Sequence, residues 1–185
     1  MPFAPPTPSP LGPPTHSAVV VTVPEAEPVV GHHRRGLDVC AGWGVPAHVT
    51  VLFPFLDPGE LDDAVHQELT RAVAGVPEFA VTFPHTGWFT QQVLWLAPEP
   101  AEPFRVLTSA IAAAFPSHPP YGGAFDDVVP HLTVGHDAPE ETLRAVERQL
   151  TPTLPVHTRV TNVQVLVGRP EAGGSWDVVA RLPLA

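Results

Sequence analysis

The 185-residue sequence has no lysine, one cysteine (Cys40), one methionine and one tyrosine (Tyr121). A single cysteine excludes an internal disulfide framework and any multi-cysteine metal site. Positive charge is scarce: nine arginines face 19 acidic residues, for a formal net charge of −10. That balance argues against a protein that grips long nucleic acid, whose affinity comes from Lys and Arg neutralising consecutive phosphates. A small anionic ligand remains compatible, because a local pocket can outweigh the surrounding field. No run approaches the roughly 18 apolar residues of a membrane span. The amino terminus lacks both the basic stretch and the unbroken apolar stretch of a signal peptide. These absences predict a soluble, cytoplasmic protein with no membrane partner, expected as a monomer.

Proline is abundant, with 26 residues beside 14 glycines, and seven of the prolines fall between Met1 and Pro14. A run such as Pro5-Pro6-Thr7-Pro8-Ser9-Pro10 offers too little apolar surface to offset the entropy of ordering it. Residues 1–17 are therefore expected as a disordered arm, and residues 18–185 as a single two-lobed domain. With 44% hydrophobic and 15% charged residues, the chain as a whole has the composition of a globular protein.

Strand and helix patterns are mixed along this body. Ala18 to Val23 reads as a strand broken at Pro24, and Pro28 to Gly44 has no clear period and reads as a loop. His48 to Phe55 is a second apolar run. Asp57-Pro58 is a helix start for the stripe Leu61, Val65, Leu69 and Val73, which Gly75 ends. Phe79 to Phe83 and Val93 to Leu96 read as strands joined across His85-Thr86-Gly87-Trp88. A second helix carries Phe104, Leu107, Ile111 and Phe115. After the Pro- and Gly-rich stretch 116–130 comes a short apolar run, His131 to Gly135. A third helix, with Asp137 and Glu140 as a capping box, buries Leu143, Val146 and Leu150. Val156 to Val167 and Trp176 to Leu182 read as a hairpin across Gly173-Gly174. Strict strand-helix alternation is missing, which favours α+β with mainly antiparallel pairing.

A weak internal repeat stands out. Pro46-Ala47-His48-Val49-Thr50-Val51 is matched by Val129-Pro130-His131-Leu132-Thr133-Val134, and each copy precedes an amphipathic helix. Chance gives roughly one bare His-x-Thr in a chain of this composition, but an apolar middle residue and a following Val reduce that to roughly 0.05 copies. On a strand, His48 and Thr50 share one face, as do His131 and Thr133. If the two faces meet across a cleft, two imidazoles flank a space that receives two hydroxyl donors. Such an arrangement suits a phosphodiester, which needs a general base, a general acid opposite it and donors for the phosphoryl oxygens. Imidazole, with an ordinary pKa near 6.5, serves either proton role.

Other candidates surround the motifs. Tyr121 could stack on a base or donate to a phosphate, or simply pack on the core. Phe53, Trp88 and Phe89 could form a nucleobase platform, with core packing the alternative for Phe53. Arg34 and Arg35 could neutralise substrate charge, with a solvated loop the alternative for at least one. If its strand continues that far, His136 should point to the face opposite His131.

At these residues the sequence resembles the 2H phosphoesterase superfamily, in particular its bacterial branch of 2′-5′ RNA ligases and RNA 2′,3′-cyclic phosphodiesterases. The resemblance spans most of residues 18–185. It rests on the two His-x-Thr motifs, Arg34-Arg35 before the first, Gly87-Trp88-Phe89 leading into Val93-Leu94-Trp95-Leu96, and Pro119-Pro120-Tyr121-Gly122-Gly123 before the second. It implies a two-lobed α+β fold with antiparallel sheets, helices on the outer faces and a central cleft. It also implies chemistry without a metal or cofactor, with His48 and His131 as acid and base and Thr50 and Thr133 holding the phosphate. The expected substrate is a small phosphodiester, a nucleotide or an RNA end, not a long duplex. Two rival readings differ in class. One is a metal-dependent hydrolase in which His48, His131 and a further His or Asp126 ligate the ion. The other is a non-catalytic nucleotide or RNA-end binding module.

Overall fold

The computed structural model describes residues 3–125 and 127–185. The described residues form eight strands: β1 His16–Thr22, β2 His48–Leu52, β3 Phe79–Phe89, β4 Val93–Glu99, β5 Leu132–His136, β6 Val156–Val160, β7 Asn162–Gly168 and β8 Trp176–Pro183. The helices are α1 Glu27–Leu37, α2 Val39–Gly42, α3 Asp63–Val73, α4 Glu102–Ala114 and α5 Glu140–Leu150. The strands make one antiparallel sheet in the order β6-β3-β4-β5-β2-β1-β7-β8. The architecture is α+β, as the mixed element order implies.

Two four-stranded halves meet at the centre of this sheet, where β2 and β5 share the single residue pair Val49 and Leu132. Only Thr161 separates β6, at the outer edge of one half, from β7, inside the other half. So short a link requires the sheet to curl until its distant margins approach. The Leu184 N–H accordingly reaches the Thr161 carbonyl at 2.9 Å, and the Glu78 N–H reaches that of Ala185 at 3.0 Å.

One face of the sheet carries the main core. Val19, Val21, Val49, Val51, Leu94, Leu96, Leu132 and Val134 lie on it, covered by the apolar stripes of the helices, including Leu69, Leu107, Ile111 and Leu143. The opposite face is the cleft face. On one half it holds a second, smaller cluster in which Ala18, Val20 and Leu166 pack under Val45, Cys40 and Trp43.

Several sequence expectations change. The stretch 28–44 is not a loop: it forms α1 and α2. Pro28 fits the first helical turn. The buried side of α1 is Val30, Gly31, His33 and Arg34, so glycine and polar residues occupy the stripe and no hydrophobic period shows. His85 to Trp88 is part of β3, and the turn comes at Thr90, where φ is +53°. Asp57 does cap, but it caps a single short turn at 58–60, and α3 starts instead behind Asp62, whose carboxylate accepts the Val65 N–H at 2.9 Å. Asp137 does not cap α5; the residue before that helix is Pro139, which supplies no side-chain cap. Val156 to Val167 is two strands, broken at Thr161.

The proline-rich stretch, expected as a disordered arm, follows the outer strand β8. The Ala4 N–H reaches the Val179 carbonyl at 2.7 Å, Thr7 bonds Asp177 through its N–H and its hydroxyl at 3.0 Å each, and Phe3 packs on the core. Proline-rich chain on an exposed edge strand blocks further strand pairing there.

Leu132 is fully buried at the one point where the halves pair. Leu132→Ala should cost about 2–5 kcal/mol, and urea unfolding of the variant beside the parent measures it.

Candidate active site

The register across the central seam gathers the motif residues. Val49 opposite Leu132 in an antiparallel pair sets His48 beside Thr133 and Thr50 beside His131, all four on the cleft face. The sequence expectation that both His-x-Thr faces meet is thereby met within one sheet, rather than across two facing ones.

Each copy of the repeat then carries a β-bulge at the same place. Thr50 pairs with Val20 but Leu52 with Val19, leaving Val51 as the extra residue. Likewise Thr133 pairs with Trp95 but Gly135 with Leu94, leaving Val134. A bulge reverses the alternation of faces beyond it. Val51 and Leu52 both enter the main core, and the next residue, Phe53, returns to the cleft face and packs in the second cluster. In the other copy Gly135 faces the helices, where an added Cβ would lie 2.8 Å from Leu37 Cβ. His136 then pairs with Val93, on the cleft face. The expectation that His136 opposes His131 therefore fails, because the bulge inserts one residue between them.

Both imidazoles are fixed in the same manner. His48 Nδ1 lies 2.8 Å from the Pro46 carbonyl, and His131 Nδ1 lies 2.8 Å from the Val129 carbonyl. A carbonyl only accepts, so Nδ1 carries the proton in both rings and Nε2 is the nitrogen left for chemistry. The surroundings of the two rings differ. Burial pushes the His48 pKa down to about 4, helped by the nearby Arg34 guanidinium and by His131, against the Pro46 hydrogen bond and the Asp38 carboxylate. Burial also lowers the His131 pKa, against the Val129 hydrogen bond, with no cation contributing. The edge of its ring meets Phe89, centroids 4.8 Å apart and planes at 89°, and Trp95 stands 6.1 Å away.

Beside His131 opens a pocket of about 370 Å³, walled by Phe89, Val93, Tyr121, Phe125, Val128 and Val129, with Asp127 at its rim. Tyr121 sits at φ +52° in the loop before β5, and its N–H bonds the Phe53 carbonyl at 2.7 Å. Burial raises the pKa of its hydroxyl, against the nearby Thr50 side chain. Tyr121 thus lines the pocket and stands near Thr50 of the first motif.

Other candidates are placed differently. Phe89 lines the pocket, but Trp88, one residue earlier on β3, must face the other way. Its Nε1 donates to Glu147 on α5 at 2.8 Å, and Arg144 stacks 4.1 Å from its ring centroid. Trp88 is thus a packing residue on the helix side. Phe53 packs with Trp176, 6.3 Å between centroids, away from the pocket. Arg34 is no solvated loop residue: it is 1% exposed, with Nε and Nη2 on Asp38 Oδ2 at 3.0 and 2.8 Å and Nη2 also on the Val45 carbonyl. Its guanidinium is thus committed to protein groups, and its charge acts on His48 through space. Sequence reasoning missed Val93 and Val129 as pocket walls and Trp95 as neighbour of His131. The position of Trp95, two residues after Val93 on one strand face, was the available signal. The Nε1 atoms of Trp95 and Trp176, both on the cleft face, are buried without a hydrogen-bond partner among the described residues. No three His, Cys, Asp or Glu side chains converge as metal ligands among the described residues, and Asp126 lies outside them.

The depressed His48 pKa has a consequence for stability. The unfolded chain, with its ring near the ordinary 6.5, binds more protons than the folded one between about pH 6.5 and 4. His48 therefore contributes stability that is complete above pH 6.5 and lost as the pH falls to about 4. Unfolding free energies of the parent and His48→Asn should converge over that window, and imidazole NMR titration should give His48 the lower pKa of the pair.

Comparison with known proteins agrees with this geometry. Residues 23–170 match the 2′-5′ RNA ligase superfamily. Among solved structures, the fold is similar to Escherichia coli LigT complexed with 3′-AMP, at TM-score 0.59 and 18% identity, covering 94% of this chain and 99% of that one. It is also similar to TT0787 of Thermus thermophilus, at TM-score 0.63 and 20% identity, covering 91% and 97%. No curated protein matches by sequence. No helix among the described residues is long and apolar enough to cross a membrane. The sequence profile, the one-sheet α+β fold and the paired His-x-Thr strands together make this chain a member of the 2′-5′ RNA ligase superfamily, within the 2H phosphoesterases.

Proposed function

We propose that this phosphoesterase opens the 2′,3′-cyclic phosphate of a nucleotide or RNA end by paired-histidine acid-base catalysis, without a metal. The observation that carries the reading is the pair of imidazoles on one sheet face, each held through Nδ1 to a carbonyl, with Nε2 unpartnered among the described residues and a threonine of the other motif opposite each in the register. A phosphate between them would receive both hydroxyls and lie within reach of both Nε2 atoms.

The unequal surroundings suggest the roles. His48, driven toward the neutral form by burial and by the Arg34 charge, is the base; it takes a proton from water as the water oxygen attacks phosphorus. His131, with no cation beside it, is protonated more readily once an anionic phosphate lies next to it. It gives its proton to the ribose oxygen whose bond to phosphorus breaks. By analogy with the family the departing oxygen is O3′, which leaves a 2′-phosphate, and the reverse reaction would join ends through a 2′-5′ bond. The aromatic pocket beside His131 is shaped for the base, with Phe89 and Tyr121 supplying the stacking faces. A LigT structure that holds 3′-AMP is consistent with a nucleotide of this size.

His48→Ala and His131→Ala should each lower turnover of a 2′,3′-cyclic nucleotide by about 10²–10⁴-fold. Thr50→Val and Thr133→Val should cost less, roughly 10–10³-fold. Activity should survive EDTA. Loss below tenfold in both histidine variants contradicts the assigned roles, loss in EDTA restored by zinc favours a metal-dependent hydrolase, and ligand binding with no turnover favours a binding module.

A further inference from the structure

The backbone that orients each motif histidine is itself gripped by an arginine. His48 Nδ1 donates to the Pro46 carbonyl, and the carbonyl just before that one, of Val45, accepts from Arg34 Nη2 at 3.3 Å. In the other copy His131 Nδ1 donates to the Val129 carbonyl, and the carbonyl just before it, of Val128, accepts from Arg105 Nη1 at 3.1 Å. Both arginines thus hold the carbonyl three residues ahead of a motif histidine. Each is in turn held by an aspartate, Asp38 at 2.8 Å from Arg34 and Asp127 at 2.8 Å from Arg105. The sequence repeat does not supply this arrangement. Arg34 comes from the last turn of α1 and Arg105 from the first turn of α4, so the same contact is assembled from opposite ends of two helices.

The two grips differ in strength. A peptide unit has a carbonyl on one edge and an N–H on the other, and the unit joining Pro46 to Ala47 is held at both: its carbonyl takes His48 Nδ1, and its N–H donates to Glu27 Oε1. Glu27 also stands 3.5 Å from Arg34 Nη1, so one network built round the buried arginine fixes the backbone ahead of His48. The proline ring at residue 46 restricts φ as well. The matching unit in the other copy joins Val129 to Pro130 and has no N–H, because its nitrogen belongs to the proline. The contact from Arg105 to the Val128 carbonyl therefore carries the task on this side. It is open to solvent, with the Arg105 and Asp127 side chains 37% and 74% exposed.

We propose that Arg105 is a positioning residue of the active site, which holds the backbone before β5 so that the Val129 carbonyl keeps His131 in its Nδ1–H tautomer with Nε2 left for chemistry. Arg34 does the same for His48. The kinetic consequence rests on the acid-base reading above, whereas the tautomer depends on no activity. A carbonyl that tilts away releases Nδ1, and the ring then loses its fixed orientation while the Nε2–H tautomer competes. Either change takes Nε2 out of line with the leaving oxygen. Arg34 is a poor place to test this, because its nitrogens serve Asp38 and Glu27 as well as the carbonyl, and its removal would strand Asp38 as a buried unpaired charge. Arg105 is a good one. Its position is part exposed, and a single nitrogen, Nη1, makes both of its contacts, so the one ammonium of a lysine can reproduce them.

The test compares the full chain with Arg105→Met and Arg105→Lys. Imidazole nitrogen NMR, recorded well above the ordinary histidine pKa of about 6.5, reads the tautomer of each ring. Arg105→Met should move His131 from the Nδ1–H form toward a mixture of the two and leave His48 as in the parent. It should also lower kcat on adenosine 2′,3′-cyclic phosphate by about tenfold with KM held, short of the roughly 10²-fold cost of a misplacement of about 1 Å. Arg105→Lys should restore both readouts. An unchanged His131 tautomer in Arg105→Met, an equal change at His48, or a lysine variant as impaired as the methionine one overturns the proposal. If the parent opens no cyclic phosphate, the phosphodiesterase reading fails by itself, and the tautomer comparison still decides the role of Arg105.

Discussion

One backbone pairing organises this protein. Among the described residues, Val49 and Leu132 form the one backbone pair through which β2 and β5 join the two halves of the sheet. Both side chains are fully buried on the helix face. Alternation along each strand then dictates that their neighbours, His48, Thr50, His131 and Thr133, emerge together on the other face. The hydrophobic effect that anchors the apolar middle residue of each motif is therefore also what exposes its polar flanks. A register slip of one residue would bury two imidazoles and expose two core side chains, so the core and the site enforce the same alignment.

The halves are alike in backbone and unlike in environment. Each motif histidine uses Nδ1 on the carbonyl two residues before it, and each motif is followed by a bulge at the same position. What breaks the equivalence is packed around them. A buried arginine stands near His48, held by Asp38 and the Val45 carbonyl, whereas His131 meets aromatic edges. The bulge returns a phenylalanine to the cleft face in one copy and a histidine in the other. A repeated scaffold thus presents two different proton environments and two different ends.

Much of this was legible in the sequence. The repeated His-apolar-Thr-Val pattern specifies two strands with polar residues on one side, and the helices with a clean apolar stripe, α3, α4 and α5, are visible from their periodicity. Helix α1 was hidden because its buried side is built from Gly31, His33 and Arg34. The burial of Arg34 is offset by Asp38 one turn later and by a carbonyl from another segment, a partnership that no periodicity reveals. Trp88 and Phe89, read together as a platform, were separated only when the full length of β3 fixed which face each occupies.

Composition and local pattern alone determined the fold class, the excess of acidic over basic residues and the identity of the four polar motif residues. Each of these depends only on residue type and short-range spacing. Tertiary structure decided that the two motifs pair through one residue, that bulges turn His136 and Phe53 to the cleft face, and that Arg34 is a buried neighbour of His48. Those outcomes depend on which distant segments share hydrogen bonds and burial, and such partnerships are settled only when the whole chain packs.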